Sequence, residues 1–481
     1  MINLIKNEIY KIFHKLSTYI VLIIALLFVI LTNVIYCEFD DFGTVETLSE
    51  IDINEVNNYI NNYNPETDSI EDYAYNLALL DSYNLSKNYS SDSWEYNVFM
   101  TKYLDLNTEY YILMHSDNPD EEKIANLNKS MLAILQAVYQ SDWRYFVSLE
   151  QSELEMLIAS YDEALEIANL SNDDKLNYNK QKYIAEEELE LLNYRLEENV
   201  PYGNDYLNTA INNIENNLYT MADYMYDLDS PRETYAAALK AYHENKYILE
   251  EKIDTNDSST LRSVIMNFYN EYAFLIIVFI IMIAGSIVSD EFSRGTIKSL
   301  LTIPHSRSKI LLAKYLTVIL LIPFIILFLL VCELLIGGLL LGFDSLSIPA
   351  VVYNIAHNGV DILNVFSYFG LYTLANLPEL LLLTTLAFTC SIILNNTAFA
   401  VAITFCGMIA SQIINGIAIS YDIKVLDYFV TTNWDFTVFL FGGSSPFGLT
   451  IAHGVMVCLT YLILMLLISF AIFTNKDIKN V

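Results

Sequence analysis

Six stretches of this chain are apolar over roughly the 20 residues that a helix needs to cross a bilayer. They cover residues 17–36, 271–288, 311–334, 368–394, 398–419 and 449–473, and the third can be followed toward Leu341. Only Asn395-Asn396-Thr397 separates the fourth from the fifth. The predicted fold is all-α: a polytopic six-helix membrane domain with a large helical extracellular insert between the first and second membrane helices. The expected parts are an amphipathic interfacial helix at 1–16, a first crossing at 17–36, an acidic outer domain at 37–268, and a transmembrane domain at 269–481.

Charge supports that division. The formal net charge is -33, and residues 37–268 carry 46 acidic against 14 basic side chains, a balance of -32. Excess Lys and Arg mark the cytoplasmic side of membrane proteins. Lys6, Lys11, His14 and Lys15 precede the first run, and Lys476 and Lys479 follow the last. With six crossings, both termini are expected in the cytoplasm and the acidic insert outside, with Lys424 the one exception. Ile2, Ile5, Ile9, Ile12, Phe13 and Leu16 recur at helical spacing, as in a helix lying on the inner surface. A cleaved signal peptide is the alternative. The long apolar core, the lack of a small-x-small site and bulky Tyr36 before Cys37 argue against it.

The insert has apolar stripes at alternating spacings of three and four, as packed amphipathic helices do. They are Ile124, Leu127, Met131, Ile134 and Val138; Leu154, Leu157, Tyr161 and Leu165; Ala185, Leu189, Leu192 and Leu196; and Leu207, Ile211, Ile214, Leu218, Met221 and Met225. Ser230-Pro231-Arg232-Glu233 reads as a capping box with proline at the first helical position. A helix from about Thr260 is expected to run straight into the second crossing. Of the two other outer segments, 343–367 and 420–448, the second is rich in aromatic residues. It reads as a re-entrant or interfacial hairpin, or as an aromatic belt. The insert's acidity fits a solvated surface or the attraction of cationic molecules. Five cysteines, only one of them (Cys37) in the insert, do not make a disulfide framework. A Gram-positive-type bacterium is the expected source, and the plasma membrane the location.

Enzyme motifs are missing. There is no G-x-x-x-x-G-K-[ST], so the chain holds no P-loop for ATP. H-E-x-x-H, G-x-S-x-G and G-x-G-x-x-G are also absent, the six histidines are dispersed, and no metal cluster is evident. The basic patches are too small and too near the membrane for nucleic acid. The expectation is a non-enzyme with no cofactor of its own, lying in a lipid bilayer and dependent on a partner for energy. Two carboxylates, Glu333 and Glu379, fall inside apolar runs, where a charge is costly and faces a cavity, a partner or a proton. Glu379 follows Asn376 and Pro378, which suggests a kinked helix. Asn376, Glu379 and Glu333 are candidates for a translocation path, with a protonated interhelical hydrogen bond as the alternative for Glu379.

Between the second and third runs, residues 289–314 carry Arg294, Lys298, Arg307, Lys309 and Lys314 against Asp290 and Glu291. That short basic loop has the size to dock a soluble partner beneath the membrane. Its residues Glu291, Gly295, Thr296, Leu300, Leu301, Thr302, Pro304 and Arg307 resemble the coupling segment of type 2 ABC exporter permeases, the ABC-2 family. The chain's ending, Phe473 to Ile478, is similar to the close of many members. The resemblance covers residues 1–36 and 269–481 and is most specific over 285–314. It implies a membrane-spanning permease subunit of an ATP-driven ABC exporter of a peptide, drug or other hydrophobic or cationic substrate. The implied partners are a separate ABC ATPase, which would bind ATP and Mg, and a second permease copy or paralogue. Glu291 and Arg294 would orient the loop, and Gly295 and Thr296 would start the coupling helix. Pro304 falls in the matching turn. Arg307, Lys309 and Lys314 would touch the ATPase or lipid headgroups, with plain topology anchoring the alternative for Lys309 and Lys314. The large insert departs from members that have only a short outer loop and leaves the substrate open. An alternative is an ABC-type mechanotransmission subunit whose outer domain regulates an envelope enzyme or receptor.

Overall fold

The computed structural model describes residues 1–38, 53–91, 93–116, 118–167, 170–226, 232–255, 259–297, 305–421, 423–445 and 447–476. The chain divides into two units, Met1–Phe42 with Asp257–Val481, and Gly43–Asn256. The first unit opens with α1 (Ile2–Phe13) and α2 (Leu16–Glu38).

The second unit holds α3 (Ile53–Asn62), α4 (Ile70–Ser86), α5 (Trp94–Val98), a π turn (Phe99–Tyr103), α6 (Leu104–Met114), α7 (Glu121–Tyr139), α8 (Trp143–Leu165), α9 (Asn172–Glu197), α10 (Tyr206–Tyr226) and α11 (Arg232–Glu251). Its helices start where a polar side chain can take up an orphan backbone N–H. Ser69 accepts from Glu71 and Asp72, Asp120 from Lys123, and Ser171 from Asp174. Three of the four expected stripes face the interior: Leu127, Met131, Ile134 and Val138 are buried, as are Ala185 and Leu192, and Ile211, Ile214, Leu218 and Met221. The stripe on α8 is only half-buried: Leu154 packs against Trp143, Val147 and Leu192 while Leu157 is exposed, and full burial on α8 falls at Trp143, Phe146 and Val147 near its start. Arg195 is buried here, donating to Asn208 Oδ1 at 2.7 Å and lying 4.1 Å over the Tyr202 ring. Ser230 and Pro231 of the expected capping box lie outside the described residues.

The first unit resumes with α12 (Leu261–Met266), α13 (Phe268–Ser286), α14 (Ser289–Ser293), α15 (Arg307–Leu340), strands β1 (Ala350–Asn354) and β2 (Gly359–Leu363), and helices α16 (Val365–Leu394), α17 (Thr397–Tyr421) and α18 (Ile451–Asn475). Among the described residues, six helices, α2, α13, α15, α16, α17 and α18, are long and apolar enough to cross a bilayer. The chain is a mainly helical, multi-pass membrane protein. The core centres on α13, whose Phe268, Tyr272, Ile276, Phe279 and Ile280 are all buried. It packs against α15, α16 and α17. Outward faces stay apolar, as on α17 with Phe399, Ile403, Ile409 and Ile413 exposed, which suits contact with hydrocarbon.

Three expectations need correction. The helix from Thr260 does not run straight on: Thr260 caps α12, and Asn267 (φ -91, ψ 12) interrupts the chain before α13. Residues from Leu261 onward sit in the membrane unit's core, because Leu261, Val264 and Ile265 are fully buried there, so the unit boundary falls at 256–257 rather than 268. The fold is also not purely helical. β1 and β2 form an antiparallel hairpin, with Ala350 opposite Leu363 and Asn354 opposite Gly359. The segment 423–445 holds two 3-10 turns, Lys424–Tyr428 and Thr437–Gly442, and the second of them packs on that hairpin. Ile355 N–H donates to Phe441 O at 2.9 Å, and the Phe441 and Tyr368 rings stack. Trp434 is buried against the helical core, so it is no part of an exposed aromatic belt.

Candidate functional site

Residues 288–292 follow α13 and include most of α14, and several elements of the membrane unit converge on them. The N–H groups of Val288 and Ser289 donate to Ser391 Oγ on α16, at 3.3 and 2.9 Å. Ser289 Oγ donates to Gly285 O and pairs with Thr397 Oγ1 at 2.7 Å. Asp290 Oδ1 accepts from Thr397 at 2.8 Å, and its Oδ2 from Lys15 Nζ at 2.7 Å. Asn395 makes this possible. Its left-handed backbone (φ 52) ends α16, and Asn396 Oδ1 accepts the first N–H groups of α17, so Ser391 and Thr397 reach the same turn.

Lys314 is the centre of the group. It is fully buried on α15, and its ammonium donates to Glu8 Oε2 at 2.7 Å, Glu291 Oε1 at 2.8 Å and Ile287 O at 3.1 Å. Lys11 spans the same two carboxylates, at 2.8 Å to Glu8 and 3.0 Å to Glu291. A Lys ammonium has three donors, and all three of Lys314's are used. Burial pushes the Glu8 carboxyl up, but the charge of Lys314 and the bonds from Lys11 and Lys314 outweigh it and hold Glu8 below the usual carboxylate range. Asp290 behaves alike: burial raises it, and the bonds from Lys15 and Thr397 bring it below its ordinary value.

The sequence-predicted residues therefore separate. Glu291 and Lys314 meet in the interior, so Lys314 faces neither headgroups nor a partner, unlike the expectation from its place in the loop. Arg294, Gly295 and Thr296 are exposed at the tip, where Gly295 (φ +68) turns the chain out of α14 and Thr296 Oγ1 reaches Glu291 O at 3.4 Å. Arg307 Nη1 donates to the carbonyls of Thr474 and Lys476, each at 3.0 Å, and so closes the end of α18. Lys309 is exposed, one turn after the Ser306 cap. Pro304, with Lys298, Leu300, Leu301 and Thr302, lies outside the described residues. Sequence reasoning missed Glu8, Lys15, Ser391 and Thr397. The one available signal was Glu8, an acid among the bases of an amphipathic helix.

The other candidates do not share this site. Glu333 lies ~28 Å along α15 from Lys314, at 1.5 Å per residue. It is fully buried, accepting from Tyr272 at 2.6 Å and Asn33 at 2.9 Å. Asn376 bonds its own helix at Tyr372 O, and α16 continues unbroken past Pro378. Glu379 is part-buried on α16, just after Pro378. No group of His, Cys, Asp and Glu among the described residues has the arrangement of a metal site.

Residues 235–479 match the family described as "Protein of unknown function (DUF2705)", and the chain belongs to it. It is similar to the uncharacterized protein YhcI of Bacillus subtilis (strain 168), 30% identical over 238 residues, which cover 49% of this chain and 75% of that protein. It is also similar to the uncharacterized membrane protein YdbK of the same organism, 25% identical over 200 residues, 41% of this chain and 76% of the relative. No solved structure matches.

Proposed function

We propose that this chain is the membrane-spanning permease subunit of an ATP-driven ABC exporter, coupled to a separate ATPase through residues 289–314. The single observation that carries the reading is the convergence on residues 288–292. One short turn is bonded to α1 through Lys11, to the α1–α2 link through Lys15, to α15 through Lys314, to α16 through Ser391 and to α17 through Thr397. A load on the exposed tip at Arg294–Thr296 would pass to four helices at once, and three of them are long enough to cross the membrane. A plain connecting loop has no need of buried ion pairs, which are costly to desolvate. The tip carries Arg294, and Lys6, Lys11, Lys15 and Lys309 add to the basic residues of α1, the α1–α2 link and the start of α15, which supports a cytoplasmic position for this end by the positive-inside rule. In this reading both termini are cytoplasmic, the acidic unit 43–256 is outside, and ATP and Mg bind the partner.

The exporter reading is preferred to force transmission toward an envelope enzyme. Transmission would be served by a continuous helix from the acidic unit into a membrane helix, whereas α11 ends at Glu251 and a new helix is capped at Thr260. Purification of the tagged chain from its own membranes in mild detergent, with mass spectrometry of what co-purifies, tests the proposal. A stoichiometric P-loop ATPase, lost on Arg294→Glu, supports it. Recovery of the chain with no nucleotide-binding protein overturns it, and a co-purified wall enzyme favours transmission.

A further inference from the structure

At the far end of α15, Asn33 and Glu333 face each other across the α2–α15 contact, both fully buried. Asn33 Nδ2 donates to Glu333 Oε2 and to Val29 O, each at 2.9 Å. The bond to a backbone carbonyl settles which end of the amide is nitrogen. Two acceptor atoms are then left over, Glu333 Oε1 and Asn33 Oδ1. Both are buried, and neither has a hydrogen-bond donor. Both lie against Gly337, one turn after Glu333: a Cβ on that glycine would collide with both oxygens and with Leu261.

A buried acceptor without a donor is costly, and an ionised carboxylate at membrane depth costs more. One proton removes all of these penalties. Placed on Glu333 Oε1 and donated to Asn33 Oδ1, it completes a two-bond ring with the existing Nδ2–H···Oε2 bond, the pairing of a carboxylic acid with a carboxamide. We propose that Glu333 and Asn33 form a proton-binding site that locks α2 onto α15 when occupied. Release sends the proton from Oε1 to water and leaves two acceptors opposed, so α2 is loosened from α15.

From α13, Tyr272 donates its hydroxyl to Oε2 at 2.6 Å, and Glu271 lies one residue before it. From α2, Tyr36 donates to Glu271 Oε1 at 3.1 Å. Cys332 precedes Glu333 on α15 itself. α12 presents Leu261 to Gly337, while its Arg262 donates to Pro349 O at 2.8 Å. No Lys, Arg or His forms an ion pair with Glu333 among the described residues. The site stands independently of the exporter reading.

Infrared spectroscopy of the full-length protein in detergent at neutral pH tests it. The expected result is a carboxylic-acid C=O band, sensitive to exchange into D2O, that is present in the wild type and in Glu379→Gln and lost in Glu333→Gln. Retention of the whole band in Glu333→Gln overturns the proposal. Asn33→Leu keeps the acid but removes its partner, so the same band moves to higher frequency; an unmoved band also overturns it, and this arm does not depend on Glu333→Gln folding. The locking role is read from the pH profile of Tm. The wild type loses Tm as pH rises, whereas Glu333→Gln, whose amide N–H can donate to Asn33 Oδ1 at every pH, lacks that loss. Parallel profiles refute the lock.

Discussion

Replacing Lys314 by methionine should destabilise the membrane unit strongly, out of proportion to the loss of a single surface charge. The side chain is buried and pairs with Glu8 and Glu291, whose side chains are only 7% and 12% exposed. Methionine fills most of the volume but leaves the two carboxylates facing an apolar group. Removing one partner of a buried ion pair costs about 3–5 kcal/mol, because the other charge stays desolvated. Lys11 still bridges both acids, but it is 40% exposed and so compensates weakly. The expected loss is therefore near the lower end, about 3 kcal/mol. That is a large part of a typical 5–15 kcal/mol stability. The assay is denaturant unfolding of the purified chain, followed by tryptophan emission; Trp434 is buried in the membrane unit. Glu8→Gln combined with Lys314→Met should recover much of the loss, since it removes one of the stranded charges. A change below about 0.5 kcal/mol in Lys314→Met, the range of an unremarkable surface substitution, would refute the buried network.

Two other predictions concern the same unit. Glu8 and Asp290 are both held below their ordinary values of 4.5 and 3.8, so each contributes stability that is fully present above those values and lost as pH falls through the lowered ones. Hydrogen exchange in α1 should stay slow from neutral pH down to about pH 4 and quicken below it, after correction for intrinsic rates, and unchanged protection at lower pH would contradict the pairing. Gly442→Ala should loosen the contact between 437–442 and the β-hairpin, because the residue has φ +77 and its Cβ would run into the Ala356 backbone and lie 2.9 Å from Ala356 Cβ. Faster exchange at the Ile355 amide is the expected readout, and an unchanged rate would count against that packing.

The membrane helices were legible because about 20 apolar residues have few other uses, and the six spans agree with the sequence boundaries to within a few residues at most ends. The exception is α15, which starts at Arg307 rather than 311. Polar residues such as Lys309 and Lys314 mask its first turns in any hydropathy reading, and this is also why Lys314 was read as a surface anchor. Whether a lysine at a membrane boundary turns inward depends on an acid elsewhere in the chain, here Glu8, 306 residues away. Asn33 was hidden for the same reason: one amide in an apolar run gains meaning only beside Glu333. The β-hairpin had a local signal that went unused. Val351-Val352-Tyr353 and Val360 suit a strand, and Asn358-Gly359 is a turn pair. The stripe on α8 shows the limit of periodicity: Leu157 keeps helical spacing with Leu154 and Tyr161 yet stays exposed, while both of those are half-buried.

The central claim is that the tip at Arg294–Thr296 receives an ATPase. A photo-crosslinking amino acid in place of Arg294, irradiated in native membranes, tests this most directly because the residue is exposed and the buried pairs beneath it are left intact. The account predicts one dominant adduct, with a P-loop protein identified by mass spectrometry, and its absence when the same probe is placed at exposed Leu339 near the other end of α15. Adducts to lipid alone, or the same protein captured from both positions, would contradict it.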